Sequence, residues 1–371
     1  MLSLEENVSL RPYNTFGLEV RARYFARFSS ADELRQLLAL PEVQAAEKLI
    51  LGGGSNLLFT QDFAGVVLKN EIRGLEIVSE NLDDAATALV RAGAGESWHG
   101  LVEYALGQGL SGLENLSLIP GTVGAAPLQN IGAYGAELRD TFERLEAVEV
   151  ATGALRTFGA AECGFGYRES VFKGPLKNQF VVTAVVLRLH RQARPNVQYG
   201  ALQETLAGFG IEGEPTMHDV SRAVVHIRRS KLPDPAEIGN AGSFFKNPEI
   251  SQRKFDELKA QHPAIPGYPV PGGVKVPAGW LIEQAGWKGL RRARQRYPRR
   301  ARPPSPGAGE PRRSHRPRAA PAGRGNHPVR ARPVRHRAAP RGEHFVIRNQ
   351  QNKSTKKLTL IKASLFCGFI R

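Results

Sequence analysis

Gly52-Gly53-Gly54-Ser55-Asn56 decides how this chain is read. The stretch lies between two apolar runs, Leu49-Ile50-Leu51 and Leu57-Leu58-Phe59. Apolar runs of this length bounded by glycine predict two buried strands. Three glycines in a row let a ligand come close to the backbone and aim successive N–H groups at one point. That is how a phosphate is cradled without a side chain. A tight turn between strands is the competing reading. No Lys-Ser/Thr pair comes after the glycines, so this is not a Walker loop. Leu57-Leu58-Phe59 is strand-like and not helical, so it is not a Rossmann fingerprint.

A second small-residue stretch strengthens the ligand reading. It runs Leu118-Ile119-Pro120-Gly121-Thr122-Val123-Gly124-Ala125-Ala126 and continues as Gln129-Asn130-Ile131-Gly132-Ala133-Tyr134-Gly135. From Gly121 to Ala126 no side chain is wider than threonine or valine. A flat cofactor could lie on such a surface, with N–H groups free to bind it. A loop packed tightly for structural reasons would read the same way.

Two further stretches carry reactive side chains. In Gly164-Phe165-Gly166-Tyr167-Arg168-Glu169-Ser170, Arg168 comes just after a glycine-flanked aromatic. Its rigid, permanently charged fork suits a carboxylate or a developing enolate. The competing reading is a surface arginine paired with Glu169. In Gly239-Asn240-Ala241-Gly242-Ser243-Phe244-Phe245-Lys246-Asn247-Pro248, Ser243 and Asn247 flank a phenylalanine pair. Ser243 could donate a proton, although serine beside glycine is commonly a turn residue.

Working outward, the first 70 residues read as an α+β lobe. A strand is predicted over 20–28. Ser30-Ala31-Asp32-Glu33 forms a capping box, with Leu34, Leu37 and Leu38 after it at helical spacing until Pro41 stops the helix. A further strand covers 66–68. A second lobe, 71–191, has strands predicted at 75–78, 88–92, 145–150 and 181–189. Its helix shows Trp98, Leu101, Val102, Ala105 and Leu106 on one face. A third region, 192–289, has a turn at Val197-Gln198-Tyr199-Gly200 and a helix over 219–227. Lys231-Leu232-Pro233-Asp234-Pro235 breaks that helix, and Pro277 can open another.

Charge divides the 371-residue chain sharply. Of its 51 Lys and Arg, 23 fall at 290–371, with only 2 of the 35 Asp and Glu. Residues 1–289 therefore carry −5 and the tail +21. Arg, Pro, Ala and Gly dominate 290–341, which predicts a disordered segment. Two distant cysteines, Cys163 and Cys367, exclude a disulfide framework or zinc cluster and fit a reducing compartment. No apolar run approaches the ~18 residues of a membrane span. The expectation is a cytoplasmic monomer with no metal, no specific nucleic-acid partner and no membrane insertion.

The blocks GGGSN, SLIPGTVGAAPLQNIGAYG, GFGYRESVFK, KLPDP and GNAGSFFKNP, in this order, closely resemble the bacterial UDP-N-acetylenolpyruvoylglucosamine reductase (MurB) family. The QNIGAYG form and the segment around Tyr199 resemble its longer, type I subgroup. The resemblance covers roughly 1–289. It implies an α+β fold of the vanillyl-alcohol-oxidase (PCMH) FAD-binding type. Lobes 1–70 and 71–191 would enclose FAD, and an α/β domain over 192–289 would bind substrate. The resemblance puts Gly52, Gly53, Gly54, Ser55 and Asn56 on the FAD pyrophosphate. Ile119, Pro120, Gly121, Thr122, Gly124, Ile131 and Gly132 would line the rest.

The implied reaction is an NADPH-dependent reduction in peptidoglycan precursor synthesis. The enolpyruvyl ether of UDP-N-acetylglucosamine becomes UDP-N-acetylmuramate. By resemblance Arg168 stabilises the enolate-like charge and Ser243 is the proton donor. Tyr167, Tyr199, Lys231, Asn247 and Gln284 match positions that bind the UDP-sugar, with Lys231 and Tyr199 on its diphosphate. The family also uses a glutamate near its C-terminus. Glu310 and Glu343 are the acidic residues after Gly289, and neither lies in the family's setting. The tail has the composition of GC-rich codons read out of frame, so another frame of the encoding DNA is expected to restore that ending. Two alternatives stay open: another flavin oxidase of the same fold type, and a catalytically incomplete flavin-binding remnant whose basic tail binds nucleic acid nonspecifically.

Overall fold

The computed structural model describes residues 3–78, 86–243 and 245–286, which fall into two compact units, 3–246 and 247–286. The basic tail expected at 290–371, with Glu310 and Glu343, lies outside the described residues, as does Phe244.

The first unit begins with a four-stranded sheet. Its strands are β1 (Glu5–Ser9), β2 (Arg21–Phe28), β3 (Lys48–Leu51) and β4 (Phe63–Asn70), in the order β1-β2-β4-β3. β1 is antiparallel to β2, whereas β2 and β3 both run parallel to β4. Parallel neighbours need crossover connections. Helices α1 (Ala31–Ala39) and α2 (Pro41–Ala45) make the first one. The Ser30 hydroxyl caps α1 by accepting from Glu33 N at 3.1 Å. The Glu33 carboxylate reaches back to Ser29 N at 2.6 Å. Pro41 ends α1 as expected, and its fixed φ also opens α2. Leu34, Leu37 and Leu38 pack on Ala26, Phe28, Val66 and Leu68 of the sheet.

The second crossover, residues 52–62, corrects one expectation. Residues 57–59 form no strand. A strand straight after the glycine turn would run antiparallel to β3, but the chain must travel back to start β4 parallel to it. Phe59 is fully buried against Leu10, Phe25 and Leu51 without joining the sheet. Its apolar character serves core packing, not strand pairing.

Next in the chain is a five-stranded antiparallel sheet, in the order β10-β9-β11-β6-β5. Its strands are β5 (Leu75–Val78), β6 (Thr87–Gly93), β9 (Phe142–Glu149), β10 (Leu155–Gly159) and β11 (Phe180–His190). A short ribbon, β7 (Gly132–Ala133) with β8 (Ala136–Glu137), precedes β9. Helix α3 (Trp98–Gly107) lays Trp98, Leu101, Val102 and Ala105 on Val90, Val185 and Leu187. The one-turn helix α4 (Ala160–Cys163) buries Cys163, and that burial pushes the thiol up to about 12. Val148 and Val181 of this sheet also pack with Leu68 and Leu34 of the first lobe, so the two sheets share apolar core.

The first unit ends in a helical pair, α5 (Gly200–Gly208) and α6 (Met217–Lys231). Thr216 and Asp219 cap α6 reciprocally, each side chain accepting from the other's N–H at 3.1 Å. The helix is longer than the expected 219–227 because this box starts it earlier and Lys231 still belongs to it. Leu202, Leu206, Val220, Val224 and Ile227 form the core of the pair.

The second unit holds α7 (Gln252–Gln261), α8 (Ala278–Gln284) and a three-stranded sheet, β12 (Glu249–Ile250), β14 (Gly273–Lys275) and β13 (Tyr268–Val270) in that order. Pro277 precedes α8 as its cap residue rather than occupying its first turn. Among the described residues no helix is long and apolar enough to cross a membrane.

Candidate active site

The two small-residue stretches meet. A methyl group on Gly52 would strike Thr122 Oγ1, and one on Gly53 would lie 3.0 Å from Gly121 Cα. Gly54 sits at φ +66°, where a methyl would run into the Tyr13 carbonyl. Glycine is therefore required at 54 twice over, by conformation and by space. The Gly54 carbonyl accepts from Thr15 N at 3.3 Å, and that of Gly52 accepts from Lys69 Nζ at 3.0 Å. The carbonyls of this turn are thus tied back. Its N–H groups are not: among the described residues, no acceptor takes the N–H of Gly52, Gly53, Gly54, Ser55 or Asn56. A partly exposed run of unsatisfied N–H groups on a glycine turn fits a phosphate.

The facing stretch is held by a bulge in β11. Register shifts between Val182 and Ala184, and the Thr183 carbonyl accepts from Ala94 N at 2.9 Å. The Ala94 and Glu96 carbonyls then accept from Gly124 N and Val123 N, each at 2.9 Å. A methyl at Gly124 would clash with the Ala94 side chain. The expectation of free N–H groups across 121–126 is therefore corrected. Those of Val123, Gly124 and Ala125 are spent on positioning the loop, and the small residues here serve close packing.

Arg168 occupies a tight turn. Gly166 and Glu169 exchange backbone hydrogen bonds at 3.0 and 3.2 Å, leaving Tyr167 and Arg168 at the tip, with Arg168 at φ +57°. Its guanidinium donates to the Asn130 carbonyl at 3.2 Å and to the Gly132 carbonyl. It stands 5.7 Å from the Tyr167 ring centre. The pairing with Glu169 is not made. Glu169 pairs instead with Lys246 and approaches Lys173 at 3.9 Å. A left-handed residue in so tight a turn sends its side chain away from its neighbour's. Among the described residues no carboxylate cancels the Arg168 charge, and it has donors to spare beyond the two carbonyls.

Asn130 builds the wall behind it. Fully buried at φ +41°, it donates to the Glu137 carboxylate at 2.9 Å and the Gly166 carbonyl at 3.1 Å. Its own oxygen accepts from Arg139 N at 3.1 Å. This one side chain couples the Arg168 turn to the loop of Ile131 and Gly132. Asn56 joins the same region, donating to the Gln129 side chain at 3.3 Å.

The structure adds a cation that the sequence reading missed. Arg228, on α6, donates from Nε to the Leu118 carbonyl at 3.1 Å, directly before Ile119 and Pro120. Its side chain also meets the Tyr134 hydroxyl, and Tyr134 stacks edge-on against Tyr199 at 5.4 Å. Burial pulls the Arg228 guanidinium below its usual range, and the same cause raises the Tyr134 phenol. A half-buried arginine with a phenol and a carbonyl for company lacks a counter-charge among the described residues. The signal was available: Arg228 continues Val220 and Val224 at intervals of four, on the apolar face of α6.

Lys231 and Ser243 are exposed in the first unit, and Ser243 comes directly after Gly242 at φ +68°. Ile119 and Pro120 border the glycine pair, Ile119 partly buried and Pro120 exposed. Asn247 and Gln284 lie in the second unit. There Asn247 accepts from Ala278 N at 3.0 Å and so caps α8, at whose end Gln284 is exposed. Among the described residues no group of His, Cys, Asp and Glu could hold a metal.

Comparison with known proteins supplies the relatives of this arrangement. Residues 22–159 match the model of an FAD binding domain. Residues 234–297 match the C-terminal domain of UDP-N-acetylenolpyruvoylglucosamine reductase. The chain is 50% identical to the UDP-N-acetylenolpyruvoylglucosamine reductase of Pseudomonas fluorescens, over 79% of its own length and 85% of that protein's. It is 52% identical to that of Burkholderia pseudomallei, over 78% and 82%. The crystal structure of the reductase (MurB) from Thermus caldophilus superposes with a TM-score of 0.51 at 28% identity, covering 78% of this chain and 83% of that one. The mixed α and β, FAD-binding fold expected from the sequence is borne out. Half of the aligned positions are identical across most of both sequences, and the chain belongs to the UDP-N-acetylenolpyruvoylglucosamine reductase family.

Proposed function

We propose that this chain reduces the enolpyruvyl ether of UDP-N-acetylglucosamine to UDP-N-acetylmuramate, with FAD held between the stretches 52–56 and 119–124 and NADPH as reductant. The observation that carries this reading is the turn of unsatisfied N–H groups at 52–56, pressed against Gly121 and Thr122 inside the segment that matches an FAD binding domain. The five N–H groups would hold the pyrophosphate, and the facing small residues let the two stretches pack close enough to act as one cradle. The flavin would supply hydride transfer from NADPH to the methylene carbon of the enolpyruvyl group.

Arg168 has the chemistry for the charge that develops next. As the methylene carbon gains a hydride, negative charge spreads from the adjacent carbon onto the carboxylate. A preorganised guanidinium facing those oxygens lowers the barrier, because its orientation is already fixed by the Asn130 and Gly132 carbonyls. Ser243 would deliver its hydroxyl proton to that adjacent carbon and recover a proton from solvent. Arg228 would meet an anionic group of cofactor or substrate, which its missing counter-charge favours. We assign Tyr167, Tyr199, Lys231, Asn247 and Gln284 to the UDP-sugar, and 192–289 to the substrate-binding region.

An anaerobic two-step absorbance experiment tests the proposal. NADPH is expected to bleach bound flavin, and the enolpyruvyl UDP-sugar to restore its colour with UDP-N-acetylmuramate formed. Bleaching without recovery would place this chain among catalytically incomplete flavoproteins and count against the second half of the reaction. Failure to bind flavin would overturn the reading entirely.

A further inference from the structure

We propose that Glu169 and Lys246 are positioning residues whose ion pair pins the loop carrying Ser243 to the turn carrying Arg168. The proposal rests on the reading that Arg168 and Ser243 serve one protonation step. Glu169 ignores the arginine beside it and pairs with Lys246, 77 residues away in sequence. Lys246 Nζ also stands 3.5 Å from the Tyr167 carbonyl. From the other side Lys173 Nζ donates to the Arg168 carbonyl at 2.7 Å and faces the same Glu169 carboxylate. Both carbonyls at the tip of the arginine turn thus face lysine ammonium groups, and Glu169 joins the two lysines.

The far end of the loop is anchored separately. Thr15 Oγ1 donates to the Asn240 carbonyl, and a methyl on Gly239 would lie 2.7 Å from the Phe16 carbonyl. Thr15 is the residue whose N–H holds the Gly54 carbonyl. The loop is therefore tied at Asn240 to the glycine turn of the first lobe and at Lys246 to the arginine turn of the second. Ser243 lies midway, three residues from each anchor. Between them Gly242, at φ +68° with open space around its Cα, adds freedom. The position of the Ser243 hydroxyl relative to Arg168 then depends on the second anchor. Lys246 and Glu169 are both about half exposed, at 45% and 51%. Such a pair shifts the docked population only a few-fold and is weakened by salt.

The test compares wild type, E169Q, K246M and the double variant E169Q/K246M, all loaded with flavin. Amide hydrogen exchange is followed by mass spectrometry over 239–246, with 52–56 as internal control. E169Q is expected to raise exchange in the loop about threefold or more and to leave the control unchanged. Equal loop exchange in wild type and E169Q overturns the proposal, whatever the catalytic result. In stopped flow, E169Q is expected to leave reduction by NADPH within about twofold and to slow reoxidation by the enolpyruvyl UDP-sugar about fivefold. K246M should slow reoxidation to a similar degree, the double variant should be no slower than either single one, and 1 M salt should bring wild type toward E169Q. Slowing of both half-reactions alike, or losses that simply multiply in the double variant, would overturn the proposal. If wild type itself never reoxidises, the proposed activity fails, and the exchange measurement decides the ion pair by itself.

Discussion

Gly53 and Gly121 meet backbone to backbone, so that a single methyl on the first would lie 3.0 Å from the Cα of the second. The Gly53→Ala variant has to separate two loops that a cofactor is proposed to bridge. Flavin affinity is expected to fall about tenfold or more, equivalent to roughly 1.4 kcal/mol. The flavin-to-protein absorbance ratio after gel filtration measures this. Retention of full flavin would show that the loops can part without disturbing the cradle.

Arg168→Lys keeps the charge and loses the fork. An ammonium cannot serve the Asn130 and Gly132 carbonyls and still face a carboxylate with paired donors. Reoxidation by the enolpyruvyl UDP-sugar is expected to slow about 10²-fold, while reduction by NADPH stays near wild type. Stopped-flow measurement of the two half-reactions separates these effects.

Arg228→Met removes a half-buried charge and keeps most of the side-chain volume. The flavin-free chain is expected to change little in stability, within about 1 kcal/mol, because the desolvation cost that disappears is offset by the Leu118 carbonyl and Tyr134 hydroxyl left without their donor. Ligand binding should weaken at the same time. Thermal unfolding of flavin-free protein and titration with FAD and with UDP would report on each, and the titration that weakens identifies the anion.

Acid should destabilise the second sheet in a defined window. The Arg91 guanidinium, bonded to both oxygens of Glu146 at 2.9 and 2.7 Å, holds that carboxyl below its usual range. Arg188 does the same to Glu143. Where a folded carboxylate has the lower pKa, the unfolded chain binds more protons. Stability is therefore full above the unfolded value near 4.5 and falls as pH drops below it. Glu146→Gln is expected to cost about 1 kcal/mol or less at neutral pH and to flatten the acid limb. Urea midpoints at pH 7, 4.5 and 3.5 would show both.

Local signals were legible and long-range ones were not. Ser30, Leu34, Leu37 and Leu38 announce α1 because a cap and an apolar stripe are written within one short stretch. β11 reads as a strand from its apolar run. β10 could not be read this way, because three of its five residues are exposed and its pairing with β9 is a tertiary matter. The glycine turn was visible because only glycine can hold Gly54's conformation beside the Tyr13 carbonyl. Arg228 was only half legible: it continues Val220 and Val224 at intervals of four, but it stands with Arg229 and Lys231 in what reads as a charged helix end. Its burial arises only when α6 docks on 115–118, where Ser221 meets Ser117 at 2.8 Å. Glu169 misleads for a related reason: adjacency in sequence suggests contact, and the turn at Arg168 removes that contact.

Leu118, Asn130, Tyr134 and Arg168 all adopt positive φ without being glycine. Each left-handed residue costs about 1 kcal/mol that a glycine would not. The four cluster around the proposed site, and side-chain bonds hold two of them there: Asn130 serves three partners and Arg168 two carbonyls. Glycine would relieve the backbone and forfeit those bonds. The local cost is thus carried by the same contacts that aim the proposed chemistry, and a variant that eased the backbone here would lose aim and stability together.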